Sequence, residues 1–316
     1  VIKILLILLA IVACKTGEGR KSEKTDPPVS VSDTYATAVD RLETDHLEDG
    51  WIVSRYQDGK PEHQGDALIW TGLALAALSC DRGAEIEDRM IRMLTDNGGS
   101  MVRYEPLGEY AGGREITFDG ATGLYYGIFN RLKACGTHDK WRKAWALHLD
   151  ALDKNNYVLH PNTTAIVPPQ FNTIRDYISF MMGVEKEPGD IRYRALEAQA
   201  MTWASATVEA REPCFRVHLA FLYMSFVEDA GKMLESAHEG FCYATEHANL
   251  PIIDHWCARI NIDDWIKEFE YNVWENRMQR CYADGWEQPD GRPGLDTPAL
   301  DLIFTIAFAY PEILKK

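Results

Sequence analysis

Basic residues are what this chain is short of: 33 Lys and Arg stand against 48 Asp and Glu, for a net charge of −15. A surface of that sign repels phosphate backbones and anionic headgroups, which excludes nucleic acid as a partner and lipid docking by the folded domain itself. The acids are dispersed rather than blocked, as on a solvated surface, the alternative being a field that attracts a cationic substrate. Cofactor signatures are missing as well. There is no glycine-rich phosphate loop, no GxSxG elbow and no dinucleotide fingerprint, so no cofactor is expected. His238, Cys242, His247, His255 and Cys257 include one i, i+4 pair, but neither a CxxC nor an HExxH accompanies them. The acidic loop around Asp284 lacks EF-hand spacing, and no metal is expected. Alternating strand patterns of useful length are absent. The apolar run at residues 4–12 is too short to cross a bilayer.

That run follows Lys3 and ends in Ile11-Val12-Ala13-Cys14, the layout of a secretory signal with a short apolar region. With small residues leading to a cysteine, it resembles the leader of a bacterial lipoprotein precursor. The resemblance implies removal of residues 1–13, lipidation of Cys14 and attachment to the cell envelope through the N-terminal lipid alone. The alternative is a plain cleaved signal peptide. Lys15 rather than Asp after the cysteine points to the outer membrane in a Gram-negative cell. Residues 14–32 are rich in Lys, Glu, Ser, Thr, Gly and Pro and too polar to order themselves, so they are expected to be a flexible tether. A single domain is expected over residues 33–316, with Asp33 as the cap of its first helix.

Within that domain two kinds of helix alternate. Residues 67–79 (ALIWTGLALAALS), 123–129, 177–182, 217–227 and 299–309 are apolar on nearly every face, as helices buried all round are. Residues 84–96 (AEIEDRMIRMLTD) carry Ile86, Met90, Met93 and Leu94 at helical spacing between charges, as an outer helix does. Residues 141–152 and 191–208 are similarly mixed. The expected class is therefore all-α. Thr71-Gly72-Leu73 recurs as Thr122-Gly123-Leu124, which suits a repeating helical hairpin. A second echo links the ends: DGW and DGKP before the first buried helix, DGW and DGRP before the last. In a closed ring those two loops would be neighbours.

On GDALIWTGLALAAL, FDGATGLYYGI and the Trp-rich loops, the domain resembles the six-hairpin glycosidase superfamily. The resemblance implies an (α/α) toroid of helical hairpins, with apolar inner helices, amphipathic outer helices and a cleft at one end. It further implies a carbohydrate or peptidoglycan partner and two carboxylates at the cleft end of the inner helices, one acid and one base or nucleophile. Asp66 and Asp119 match that placement, although an Asp at a helix start is also a favoured N-cap. Arg55, His63, Trp70, Arg114, Arg175, Arg216, Trp286 and Glu287 are the expected substrate-binding residues, since rings stack on sugars while Arg and carboxylates hold their polar groups. Arg175 and Arg216 could equally belong to structural ion pairs. A non-catalytic module binding glycan or protein in the same cleft is the second hypothesis. A third, a structural lipoprotein, would have Trp70, Tyr125 and Phe221 filling the centre. Six cysteines besides Cys14 remain for an oxidising compartment. Cys80 and Cys135 each end an apolar helical run and could meet, as a disulfide or as free thiols; the pairing of the six is not legible.

Overall fold

The computed structural model describes residues 29–53, 55–56, 67–102, 104, 118–154, 171–205, 213–246, 250–269, 294–295 and 298–315. The expected leader lies outside these residues. The first helix, α1 (Val29–His46), starts four residues before Asp33. Asp33 is exposed within it and does not cap it, and Val31 is buried at 3 % exposure. The expected tether therefore runs too far: one apolar side chain among polar neighbours is enough to dock residues 29–32.

Beyond α1 the described helices are α2 (Ala67–Ala77), α3 (Ala84–Asp96), α4 (Phe118–Cys135), α5 (His138–Lys154), α6 (Phe171–Met181), α7 (Asp190–Ser205), α8 (Pro213–Asp229), α9 (Glu235–Ala244), α10 (Pro251–Trp256), α11 (Ile262–Glu268) and α12 (Pro298–Ala309). A 3-10 turn, Pro311–Lys315, follows. The chain is all-α, and among the described residues its strands form two ladders, β1 (Leu47–Glu48) with β2 (Trp51–Ile52), and β3 (Arg55–Tyr56) with β4 (Gly294–Leu295). Every residue of α2 is buried, while α3 buries the stripe Ile86, Met90, Met93 and Leu94, with Glu87 beside it, and exposes Glu85, Asp88, Arg92 and Asp96, close to what the sequence periodicity requires.

α2 and α4 run parallel with their backbones in contact. A Cβ on Gly72 would lie 2.3 Å from the Gly123 carbonyl carbon, and one on Gly127 would lie 2.3 Å from the Gly72 oxygen. The repeated Thr-Gly-Leu is thus where two helices cross too closely for any side chain. Their C-terminal ends are joined by the Cys80–Cys135 disulfide. The carbonyls left over at the end of α2 are satisfied from both sides. Tyr35 of α1 donates its hydroxyl to Ala77 O at 2.8 Å, and Arg131 of α4 donates to Ser79 O at 3.0 Å and to Cys80 O. Arg131 is itself 2 % exposed and faces the buried Glu87, which also accepts Trp141 Nε1 at 2.8 Å and Lys140 Nζ at 3.2 Å. Burial pushes the Glu87 carboxyl up, but these donors and charges reverse it and hold it below the ordinary carboxylate range.

On its other side α4 meets α8 through Tyr126 and Ser225 (3.1 Å), Phe129 and Phe226 (ring centroids 5.0 Å), and Lys133 and Asp229. Residue numbers rise together in these pairs, so α8 is parallel to α4. Tyr177 of α6 packs edge-on against both Phe129 and Phe226. Tyr193 of α7 stacks on Phe226 from outside. The last helix returns to the first: α12 packs on α1 and α2, and Cys80 N donates to Leu314 O at 3.2 Å. At the opposite end Arg55 pairs with Leu295 and Tyr56 with Gly294. The loops feeding α2 and α12 are therefore neighbours, as their shared DGW and DG(K/R)P strings suggest.

Candidate functional site

Because α2, α4 and α8 are parallel, their N-terminal ends share one end of the bundle, and this is where the sequence candidates gather. Trp70 lies one turn into α2, Asp119 in the first turn of α4, Arg175 on α6 and Arg216 in the first turn of α8. Arg55 reaches the same end by the pairing of β3 with β4. Asp66, His63, Arg114, Trp286, Glu287 and Cys14 lie outside the described residues, and of Arg55 and Arg216 only the backbone placement is described.

Asp119 is partly exposed and is the second residue of α4 rather than the residue before it. Its charge suits the positive end of the helix dipole there without occupying the cap position. Trp70 is 4 % exposed, and a ring with so little surface presents no platform for a sugar; the core claims it instead. Arg175 is engaged: its Nε donates to Asp176 Oδ1 at 2.7 Å and its Nη2 to the same oxygen, while Arg192 takes the other carboxylate oxygen. Two guanidiniums thus share the buried Asp176 carboxylate.

Further inside, Tyr125 and Phe221 are fully buried. Tyr125 turns outward to α5, where its hydroxyl meets His148 Nε2 while His148 Nδ1 donates to Gly99 O at 2.7 Å. Phe221 packs against Trp256 and Phe308. His218 on α8 is also buried, and neither ring nitrogen has a hydrogen-bond partner. Burial lowers both His148 and His218 to about 4, so both are neutral at pH 7. Neutrality fits His148, whose Nε2 accepts the tyrosine proton.

The other end of the bundle holds a cleft that the sequence did not announce. It encloses about 470 Å³ where α2, α4, α8 and α12 finish, and the 3-10 turn closes one side. Tyr126, Trp256, Phe304 and Phe308 supply aromatic lining, while Glu228, Asp229 and Glu312 supply carboxylates. Glu228 accepts Trp256 Nε1 at 2.6 Å. Burial, with the neighbouring Asp229 charge adding to it, moves its carboxyl above the ordinary range. Asp229 is neutralised by Lys133. Glu312 Oε1 is buried and accepts no hydrogen bond. The signals were present, an acidic pair closing one apolar helix and PEILK closing the last, but nothing in the sequence sets them beside each other.

The zinc grouping around Cys242 is resolved differently. Cys242 and Cys257 form a disulfide, and His238 packs edge-on to Trp256. Among the described residues no three His, Cys, Asp or Glu side chains cluster as a metal site, and no helix is long and apolar enough to cross a membrane. No family model matches the chain, and no curated protein or solved structure is significantly similar to it.

Proposed function

We propose that this chain is a carbohydrate-acting (α/α) toroid. The observation that carries the proposal is the order of its helices and the packing of the last on the first two. The twelve helices of the described residues can be taken as six successive pairs, from α1 with α2 to α11 with α12, in which the second member is the more buried. Parallel packing of α2, α4 and α8 and the return of α12 onto α1 and α2 support a closed ring. Such a ring brings the N-terminal ends of its inner helices to one mouth, where Asp119, Arg216 and the loop containing Asp66 belong.

In this proposal Asp66 and Asp119 are the carboxyl pair. One, protonated, gives its proton to the leaving glycosidic oxygen; the other, ionised, activates water or attacks the anomeric carbon. The arginines assigned to this mouth, Arg55, Arg114, Arg175 and Arg216, favour an acidic glycan. His63, Trp286 and Glu287 complete the binding surface, and the buried Trp70 is left out of it. The two disulfides support an oxidising compartment, in keeping with a lipid anchor at Cys14 and a periplasmic or cell-surface location, on peptidoglycan or another polysaccharide.

The test is mass spectrometry of products after incubating the chain with peptidoglycan and with neutral and acidic polysaccharides, beside Asp66→Asn and Asp119→Asn. Cleavage lost in folded variants is the expected result, with mass gained from water marking hydrolysis rather than elimination. Retention of a glycan without any product would instead make the same mouth a binding module.

A further inference from the structure

The cleft at the far end of the helices has no part in that function, and its lining sets three carboxylates beside Lys133 and Lys315. We propose that it binds an organic cation: an ammonium group that carries N–H bonds, on a short apolar stem. About 470 Å³ is within the range of small-molecule sites. The stem would lie on Phe304, Phe308 and Tyr126, where apolar surface leaves water, and aromatic faces attract the positive charge.

Charge selects the head group. Four helices present their negative ends to this cleft, and of its carboxylates only Asp229 is matched, by Lys133. Of the two lysines in the lining, Lys133 is taken by Asp229 and Lys315 is exposed, so an anion meets the helix ends and the two remaining carboxylates. A neutral hydroxyl compound could donate to Glu312 but would bring no charge to face the Glu312 and Glu228 carboxylates, whereas an ammonium ion brings both donor and charge. The missing partner of Glu312 Oε1 narrows the class further. A carboxylate oxygen only accepts, and a buried acceptor left empty is costly, so the ligand must bring a donor. Primary and secondary ammonium ions do; quaternary ones do not.

The probe is n-hexylammonium, titrated calorimetrically into the full chain beside 1-hexanol, hexanoate and tetramethylammonium. Hexylammonium is expected to bind at one site at least tenfold more tightly than hexanol or tetramethylammonium, with no binding of hexanoate. Glu312→Gln keeps the shape but loses the charge, and should weaken hexylammonium at least tenfold with the melting temperature unchanged. Trp256→Phe should weaken it as well, by releasing Glu228 from its fixed position. Equal affinity for hexanol, no binding of hexylammonium, or full affinity in Glu312→Gln would overturn the assignment. Glycan cleavage at the opposite mouth is a separate readout, and neither result depends on the other.

Discussion

Where α2 meets α4 the backbones touch, and where α4 meets α6 and α8 rings fill the space between them. The first interface is made by Gly72, Gly123 and Gly127, fastened at its end by the Cys80–Cys135 disulfide and by Arg131 clamped between Glu87 and two carbonyls. The second is made by Phe129, Tyr177, Tyr193 and Phe226, with the Arg175, Asp176 and Arg192 cluster beside it. Both interfaces hold parallel helices. The difference is tolerance: a backbone contact admits no added atom, while a cluster of rings can shift to absorb one.

The buried charges should separate the two regions most sharply. Glu87→Ala leaves Arg131 unpaired at 2 % exposure and should cost about 3–5 kcal/mol in urea unfolding. Asp176→Ala should cost roughly 2 kcal/mol, because Arg192, with its side chain 37 % exposed, can turn to water. Equal losses would show that both clusters are equally closed. The disulfides come next. Cys80 and Cys135 are 55 residues apart and Cys242 and Cys257 only 15, so replacing each pair by Ser should cost about 4 and about 3 kcal/mol on the chain-entropy estimate.

Acid provides a third contrast. Each imidazole titrates near 6.5 when unfolded and near 4 when folded, so the unfolded chain binds more protons between those values. Stability is intact above pH 6.5 and falls as the pH drops towards 4, by up to ~3 kcal/mol per histidine. His148→Leu and His218→Leu should each remove part of that slope. At pH 7, however, His148→Leu should lose about 1–2 kcal/mol, because Tyr125 and Gly99 lose their partner, and His218→Leu should gain about 1 kcal/mol. Two further substitutions probe tolerance directly. Gly72→Ala should cost roughly 2 kcal/mol and Phe226→Leu about 1 kcal/mol; a Gly72→Ala loss below that of Phe226→Leu would mean that the close contact yields.

What the sequence reveals follows from the range over which each signal acts. Apolar patterning is local, so α2, α3, α8 and α12 and the all-α class were legible. The echo between the two ends was legible as repeated strings, and the strands that pair there are β3 and β4. The Thr-Gly-Leu repeat was visible, but its meaning was not: a glycine shows that there is room, and only the partner helix shows what occupies it. Cys80 and Cys135 could be foreseen as neighbours from the runs they end. Cys242 and Cys257 were read among zinc candidates, because a short loop between α9 and α10 does not reveal its closure. At the candidate site, Asp119 could be placed at a helix start, while the burial of Trp70 depends on helices packed around it. The far cleft was invisible, since its walls come from positions as distant as Ala76 and Glu312.

The hydrogen bond from Cys80 to Leu314 joins residues separated by 234 positions, and α1 and α2 are covered by a helix that begins only at Pro298. Such long-range contacts slow folding, because the loop must close before any of them is gained. A growing chain would carry the buried α2 partly uncovered until Pro298–Ala309 has emerged. Completion of this fold therefore waits on α12, and until then a chaperone has α2 to hold.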